Sequence, residues 1–196
     1  MPTREASETS SNGCVISTCL STGSDVSADF EPDGAPCPCG RRGCLEAYAG
    51  RAAMEAEARR RIAKGKHSDL IAIMEKKGRT RMSSGVWAKA LDKGDHLATH
   101  LVDRAVWALG LAAASAVNLL DVEAVVIGGG LGTRLGAPFA DRIREAMIPH
   151  LILPEKAPQV LSAALGDLGG AMGAALRVEH TVPPPGDLGT VSDPDA

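Results

Sequence analysis

Three cysteines fall within eight residues of this chain, and this cluster restricts its fold and chemistry more than any other feature. The segment reads Cys37-Pro-Cys39-Gly-Arg-Arg-Gly-Cys44. Thiolates favour a soft, tetrahedral cation, and Zn²⁺ is the usual ion for three sulfurs with a nitrogen or oxygen as the fourth ligand. Gly40 and Gly43 allow the backbone to curl so that all three sulfurs reach one point. We therefore predict a zinc knuckle, the alternative being three reduced thiols in an ordinary loop.

The fourth ligand of this knuckle does not follow from the sequence. No histidine precedes His67, which lies beyond a predicted helix. Asp25 and Cys19 are the upstream candidates, and nothing in the spacing decides between them. The chain has five cysteines, an odd number, so a complete set of intrachain disulfides is impossible and metal binding is the better explanation for the cluster.

Glu46 follows Cys44 by two residues, at the predicted start of a helix. A carboxylate there is stabilised by the helix dipole, so a plain capping role is one interpretation. If a metal ion locks the preceding turn, Glu46 becomes a rigidly held acceptor, which suits the fixed donor directions of sugar hydroxyls. Both interpretations remain open from the residues alone.

Gly128, Gly129 and Gly130 come directly after a β-branched run at 122–127, which predicts a strand that ends in a glycine turn. Such turns let the backbone approach a ligand closely, and nucleotide phosphates and ribose are frequent occupants. The alternative is glycine that serves chain reversal only. The glycine-rich segment at 166–170 carries the same ambiguity.

Composition argues against nucleic-acid and membrane partners. The formal charge is −3 and only 3% of the residues are aromatic, so neither a general electrostatic attraction to polyanions nor a base-stacking platform is expected. The arginines at 59–61 alternate with glutamates, a pattern typical of a solvated helix face. The longest apolar stretch, 105–120, is interrupted and too short to span a bilayer. We expect a cytoplasmic protein without a signal peptide.

Hydrophobic periodicity and turn residues divide the chain into three parts. Residues 1–30 are expected to be loosely ordered, with at most one strand at 14–20, and residues 179–196 to form a disordered, proline-rich tail. Between them, the pattern predicts helices that alternate with strands in the second half, hence an α/β class. The predicted helices are 45–64, 68–77, 83–93, 95–120, 138–151 and 167–178, and the predicted strands are 122–127 and 159–164.

Three sequence blocks together resemble the ROK family of repressors and sugar kinases, which includes bacterial glucokinase. They are Pro36-Cys-Pro-Cys-Gly-Arg-Arg-Gly-Cys-Leu-Glu-Ala-Tyr48, the block at 122–131 and the block at 164–174. The resemblance covers about residues 30 to 178 and keeps the family's order. It implies that 31–178 form the helix-rich C-terminal lobe of an actin-like, hexokinase-type (ribonuclease H-like) ATPase fold, in which ATP phosphorylates a hexose.

The resemblance also implies roles for individual residues. By this resemblance, Cys37, Cys39 and Cys44 correspond to structural zinc ligands. Glu46 corresponds to a carboxylate that binds sugar hydroxyls. The glycines Gly128, Gly129 and Gly130 correspond to a turn that packs against the adenosine part of ATP. ATP with Mg²⁺ is implied by the family only. Family members commonly dimerise through this half, so a homodimer is also expected.

The sequence departs from the family pattern at the motifs that carry the catalytic and phosphate-binding residues. The Asp-x-Gly-Gly-Thr phosphate loop and the Asn-Asp-x-Asn segment with the catalytic base do not occur, and the position of Glu-x-Gly-His reads Thr22-Gly-Ser-Asp-Val-Ser27. No catalytic residue is therefore assigned. We expect a truncated or frame-shifted sugar kinase that binds ATP or ADP weakly and is inactive alone. The alternatives are a sugar-sensing transcriptional regulator, whose helix-turn-helix is not readable here, and a zinc-stabilised dimerisation module.

Overall fold

The computed structural model of the chain describes residues 13–14, 31, 33–37, 39–166 and 171–176. The elements run in the order β1 (Gly13–Cys14), α1 (Leu45–Ala49), α2 (Arg51–Ala63), α3 (Leu70–Lys76), α4 (Ser84–Asp92), α5 (His96–Leu120), β2 (Ala124–Ile127), α6 (Gly129–Met147) and β3 (Gln159–Ser162). Single 3₁₀ turns follow α6 and precede β3, and residues 171–176 are helical. The expectations for the rest of 1–30, for Cys19 and Asp25, and for the tail at 179–196 lie outside the described residues.

The strands form a parallel sheet in the order β1-β2-β3. Val125 of β2 pairs with Val160 of β3, and both side chains are buried in the main core. The next pair along, Val126 and Leu161, lies on the opposite face and is exposed, because successive side chains of a strand alternate between faces. Helix α6 connects β2 to β3, so the second half of the chain contains the predicted strand–helix–strand unit.

Helices α5 and α6 pack so closely that one position between them must be glycine. A Cβ atom built on Gly110 would lie 2.6 Å from the Cβ of Ala146 and 2.8 Å from its carbonyl carbon. Around this contact, buried residues recur along α5 at intervals of three or four, as the periodicity predicts. Among the described residues, no helix is both long and apolar enough to cross a membrane.

Asp95 fixes the start of α5. Its Oδ1 accepts a hydrogen bond from the backbone N–H of Ala98 at 2.8 Å, which caps the helix. Its Oδ2 accepts from the Ser68 hydroxyl at 2.8 Å and from the N–H of Asp69 at 2.6 Å. The helix predicted for 95–120 is confirmed, and the same side chain joins it to the start of α3.

Two of the predicted helices have wrong boundaries, and each of the observed segments is interrupted at a glycine. The helix predicted for 45–64 is divided at Gly50, which has extended backbone angles (φ −68°, ψ 133°). The helix predicted to start at 138 instead begins at Gly129, and Gly136 (φ 63°, ψ −147°) breaks it two residues before Pro138. A proline near the start of the second segment is compatible with helix because no N–H is needed there.

Glu55 joins α2 to the loop that precedes α4. The side chain is buried, at 5% exposure. Its Oε1 accepts hydrogen bonds from the Arg59 guanidinium at 2.9 and 3.0 Å. Its Oε2 accepts from Arg81 at 2.9 Å and from the backbone N–H of Met82 at 3.1 Å. This one carboxylate thus satisfies donors from two separate segments of the chain.

The pKa values of two glutamates on α2 are lowered in the folded chain. Burial raises the pKa of Glu55, but the hydrogen bonds from Arg81, Arg59 and the Met82 N–H outweigh it, so its pKa lies below the usual value. Hydrogen bonds from Arg60, the larger effect, and Arg61 lower the pKa of the partly exposed Glu57 to about 2. The arginine cluster therefore pairs with carboxylates on its own helix.

We predict that Glu55→Gln and Glu57→Gln differ in their effect on stability. Removal of the buried charge should lower the free energy of unfolding by about 2 kcal/mol or more, because several donors lose a charged acceptor. Removal of the surface charge should cost less than about 1 kcal/mol. Urea unfolding at pH 7 measures both, and equal losses would contradict the structural role assigned to Glu55.

The deficit of Glu55→Gln should also depend on pH. Because the folded pKa of Glu55 is lowered, its contribution is complete above the unfolded value of about 4.3 and is lost as the pH falls through the folded pKa. We therefore expect the difference in Tm between wild type and Glu55→Gln to be constant near neutral pH and to shrink in acid. A difference that grows as the pH falls would contradict the assignment.

Candidate functional site

The cysteine loop, residues 35–44, folds back on itself through backbone hydrogen bonds. The N–H of Cys37 donates to the carbonyl of Arg41 at 2.9 Å, and the N–H of Gly43 donates to the carbonyl of Ala35 at 2.9 Å. These two bonds form a short antiparallel hairpin. The hairpin places the first and the last cysteine of the cluster at its two sides.

Two glycines make this hairpin possible. Gly40 and Gly43 have φ values of 88° and 71°, in the left-handed region that favours glycine. A Cβ atom on Gly43 would lie 1.8 Å from the carbonyl oxygen of Glu31. The turn therefore packs directly on the preceding segment.

The structure brings the three predicted metal-ligating sulfurs together. The Sγ atoms of Cys37, Cys39 and Cys44 all lie within 4.8 Å of one another, and those of Cys39 and Cys44 are 3.5 Å apart. Sulfur ligands of one tetrahedral Zn²⁺ lie about 3.8 Å apart, because each Zn–S bond is about 2.3 Å. The donor set and its spacing therefore fit one soft cation with a fourth position left for another ligand.

The thiols differ in how readily they ionise. Burial raises the pKa of Cys37. A hydrogen bond from the backbone of Arg41, with further hydrogen bonds from the neighbouring thiols, lowers the pKa of the exposed Cys39 to about 7. Cys39 is therefore the exposed thiol of the cluster, and it is converted more easily than Cys37 to the thiolate that a metal requires.

Glu46 lies in the first turn of α1, for which Cys44 is the N-cap. Its carboxylate folds back over Gly50, since a Cβ atom built there would lie 2.1 Å from Glu46 Oε1. Gly50 therefore has two effects: it separates α1 from α2, and it leaves room for this carboxylate. The cysteine loop and the glycine together determine where the acidic group can lie.

Tyr48 is a site residue that the sequence pattern did not single out. Its hydroxyl donates to the carboxylate of Glu31 and accepts from the N–H of Ala35 at 2.9 Å. Its ring packs edge-on against Trp107, with centroids 5.8 Å apart. The guanidinium carbon of Arg104 lies 4.9 Å from the ring centre. The available signal was a single tyrosine two residues after Glu46.

An open groove of about 980 Å³ lies beside the cysteine loop. Alanines of α1 and α2 form part of its wall, and its charged lining consists of Glu31, Glu57, Arg60, Arg61 and Arg104. Arg60 and Arg61 share the single carboxylate of Glu57, at 2.7 and 2.6 Å, so their charges are partly compensated on their own helix. This agrees with the predicted solvated helix face.

The segment predicted as a glycine turn lies at the carboxyl edge of the sheet, where Gly128 is the N-cap of α6 and the next two glycines are its first residues. Gly128, Gly129 and Gly130 are exposed, and Gly129 has a φ of 85°. The N–H of Ala163, just after β3, donates to the carbonyl of Ile127 at the end of β2. Ligands of open α/β sheets bind at this edge. The cysteine loop, in contrast, packs through α1 against α5, so the two predicted sites belong to different parts of the fold.

Comparison with known proteins identifies the family. The sequence profile of the ROK family matches residues 20–181. A glucokinase from Thermotoga maritima is 30% identical over 155 residues, 78% of this chain and 47% of that protein. An N-acetylmannosamine kinase from Haemophilus influenzae is 30% identical over 186 residues, 87% of this chain and 52% of that protein. The chain thus spans about half the length of these relatives.

A solved structure of a member of the same family identifies the fold. The crystal structure of a ROK family glucokinase from Streptomyces griseus, in complex with glucose and AMPPNP, matches with a TM-score of 0.63 at 29% identity, over 78% of this chain and 50% of that one. The predicted α/β class, a helix-rich part of an actin-like, hexokinase-type ATPase fold, is confirmed. This chain belongs to the ROK family.

Proposed function

We propose that this chain is the metal- and sugar-binding lobe of a ROK-family hexose kinase. The observation that carries the proposal is the convergence of three thiols within 4.8 Å of one another, directly before the helix that carries Glu46. Kinases of glucose and N-acetylmannosamine among the relatives support the substrate class. Which hexose binds does not follow from one carboxylate.

In this proposal Cys37, Cys39 and Cys44 hold a structural Zn²⁺. A structural zinc ion supplies folding free energy to the segment that binds it, and it takes no part in the reaction. The consequence for this chain is geometric, because Cys44 is also the N-cap of α1. A closed cysteine loop therefore fixes the start of the helix from which Glu46 projects.

Glu46 is the proposed sugar-binding group. An ionised carboxylate is an acceptor only, with room for bonds from more than one hydroxyl. Rigid support matters because binding energy is lost when a side chain must be ordered on binding. The contact of Glu46 Oε1 with Gly50 and the position next to the cysteine loop supply that support.

The glycine turn is the proposed contact for the adenosine part of ATP or ADP. Its exposure, its place at the carboxyl edge of the sheet and the positive φ of Gly129 support this assignment. Phosphoryl transfer depends on positioning the γ-phosphate, its Mg²⁺ and the attacking hydroxyl together. Because the sequence lacks the Asp-x-Gly-Gly-Thr loop and the Asn-Asp-x-Asn segment, we propose that a cytoplasmic chain of this sequence binds nucleotide weakly and does not catalyse transfer alone.

We predict about one zinc ion per chain, bound through the cysteine loop. Cys44→Ser should abolish stoichiometric zinc, because three-sulfur coordination is lost at a buried position. Cys14→Ser, at a cysteine outside the loop, is the matched control and should retain the metal. Elemental analysis after gel filtration measures both, and a metal-free wild-type protein that is equally stable with and without a chelator would refute the zinc proposal.

We predict that Glu46→Gln weakens hexose binding at least about tenfold, because a charged hydrogen bond is replaced by a neutral one. Glu145→Gln, on an exposed part of α6, is the control and should bind like wild type. Isothermal titration with glucose, N-acetylmannosamine and N-acetylglucosamine provides the measurement. Equal affinities for the two variants would contradict the role of Glu46.

We predict that the purified chain binds ADP in equilibrium dialysis but gives no turnover above background in a coupled ADP-release assay. Weak binding is expected because the phosphate loop is missing while the glycine turn is present. Turnover well above background would contradict the proposal of an inactive lobe. Sugar binding without nucleotide binding would favour the regulator alternative, and binding of neither would favour the dimerisation module.

A further inference from the structure

Tyr48 occupies the contact between the candidate site and the rest of the fold. It lies on α1, two residues after Glu46, and its side chain is only 4% exposed. Together with Leu45 it packs against Ala108 and Ala112 of α5 in a small core of its own. A buried phenol hydroxyl needs hydrogen-bond partners, so its partners indicate which segment of the chain it holds in place.

The tyrosine hydroxyl is hydrogen-bonded to the segment that leads into the cysteine loop. It donates to the Glu31 carboxylate and accepts from the backbone N–H of Ala35 at 2.9 Å. The carbonyl of the same Ala35 accepts the N–H of Gly43 at 2.9 Å, which is the bond that closes the loop. One peptide segment therefore connects the Tyr48 hydroxyl to the hairpin that aligns the thiols.

The ring that carries this hydroxyl is held from α5. Trp107 packs against it with an interplanar angle of 76°, and Arg104 lies over its face. Gly34 lies close to the hydroxyl itself, since a Cβ atom built there would lie 2.3 Å from the Tyr48 oxygen. The hydroxyl thus has a defined place relative to α5, and the segment around Ala35 is held against it.

We propose that Tyr48 is a positioning residue that preforms the cysteine loop for its metal ion. The inference rests on the proposed zinc site and adds to it a residue that does not touch the ion. A loop held in shape before binding loses less conformational freedom when the ion binds, so affinity is higher and release slower. Groups that orient the ligands of a metal site have effects of this kind.

The first test compares zinc release from wild type, Tyr48→Phe and Trp87→Phe. Tyr48→Phe removes one oxygen and keeps the ring, while Trp87→Phe perturbs a buried core position away from the loop. Transfer of zinc to a chromogenic chelator should be about tenfold faster for Tyr48→Phe and unchanged for Trp87→Phe. Equal release rates for wild type and Tyr48→Phe, or equal acceleration by both variants, would overturn the proposal.

The second test is independent of the metal. Hydrogen exchange of the chelator-treated protein should be about tenfold faster at the amides of Ala35 and Gly43 in Tyr48→Phe than in wild type, and unchanged in α3. Glu31→Ala, which removes the acceptor that orients the hydroxyl, should act in the same direction. Unchanged exchange in both variants overturns the role of Tyr48. A wild-type chain that holds no zinc refutes the proposed function instead, and the exchange data distinguish the two failures.

Discussion

The candidate site depends on a hairpin of about ten residues that is closed by two backbone hydrogen bonds. The bonds from Cys37 to Arg41 and from Gly43 to Ala35 bring together thiols that lie up to seven positions apart in sequence. The same hairpin leads directly into α1 through Cys44. Any group that tightens it, whether a metal ion or the Tyr48 hydroxyl, therefore acts on the start of the helix that carries Glu46.

Helix α5 is the common support of both parts of the proposed function. Near the middle of the helix, Ala108 and Ala112 pack against α1, while Gly110 allows the close approach of α6. The chain then enters β2, whose carboxyl end carries the glycine turn. A protein that must hold a sugar and a nucleotide in fixed relation benefits from such a rigid element, because a small displacement of either group is costly in phosphoryl transfer.

The sequence alone predicts the convergence of the three thiols and the helix α5. It does not predict features that depend on contacts between residues far apart in the chain. Cysteine spacing and glycine conformation act locally, so the convergence of the thiols could be predicted. The break at Gly50 depends on a carboxylate that folds back over it, and the start of α6 at Gly129 depends on the end of the preceding strand. Tyr48 and Glu55 were missed because their partners lie 13 to 27 positions away. Only the folded chain brings these groups together.

The proposed function requires that three sulfurs of the cysteine loop bind one metal ion beside Glu46. X-ray absorption spectroscopy at the zinc edge is decisive here, because it counts the sulfur neighbours of the ion. We expect at least three sulfurs at about 2.3 Å, with a fourth ligand that is a further sulfur or an oxygen or nitrogen at about 2.0 Å. A coordination shell made only of nitrogen and oxygen would contradict the proposed site.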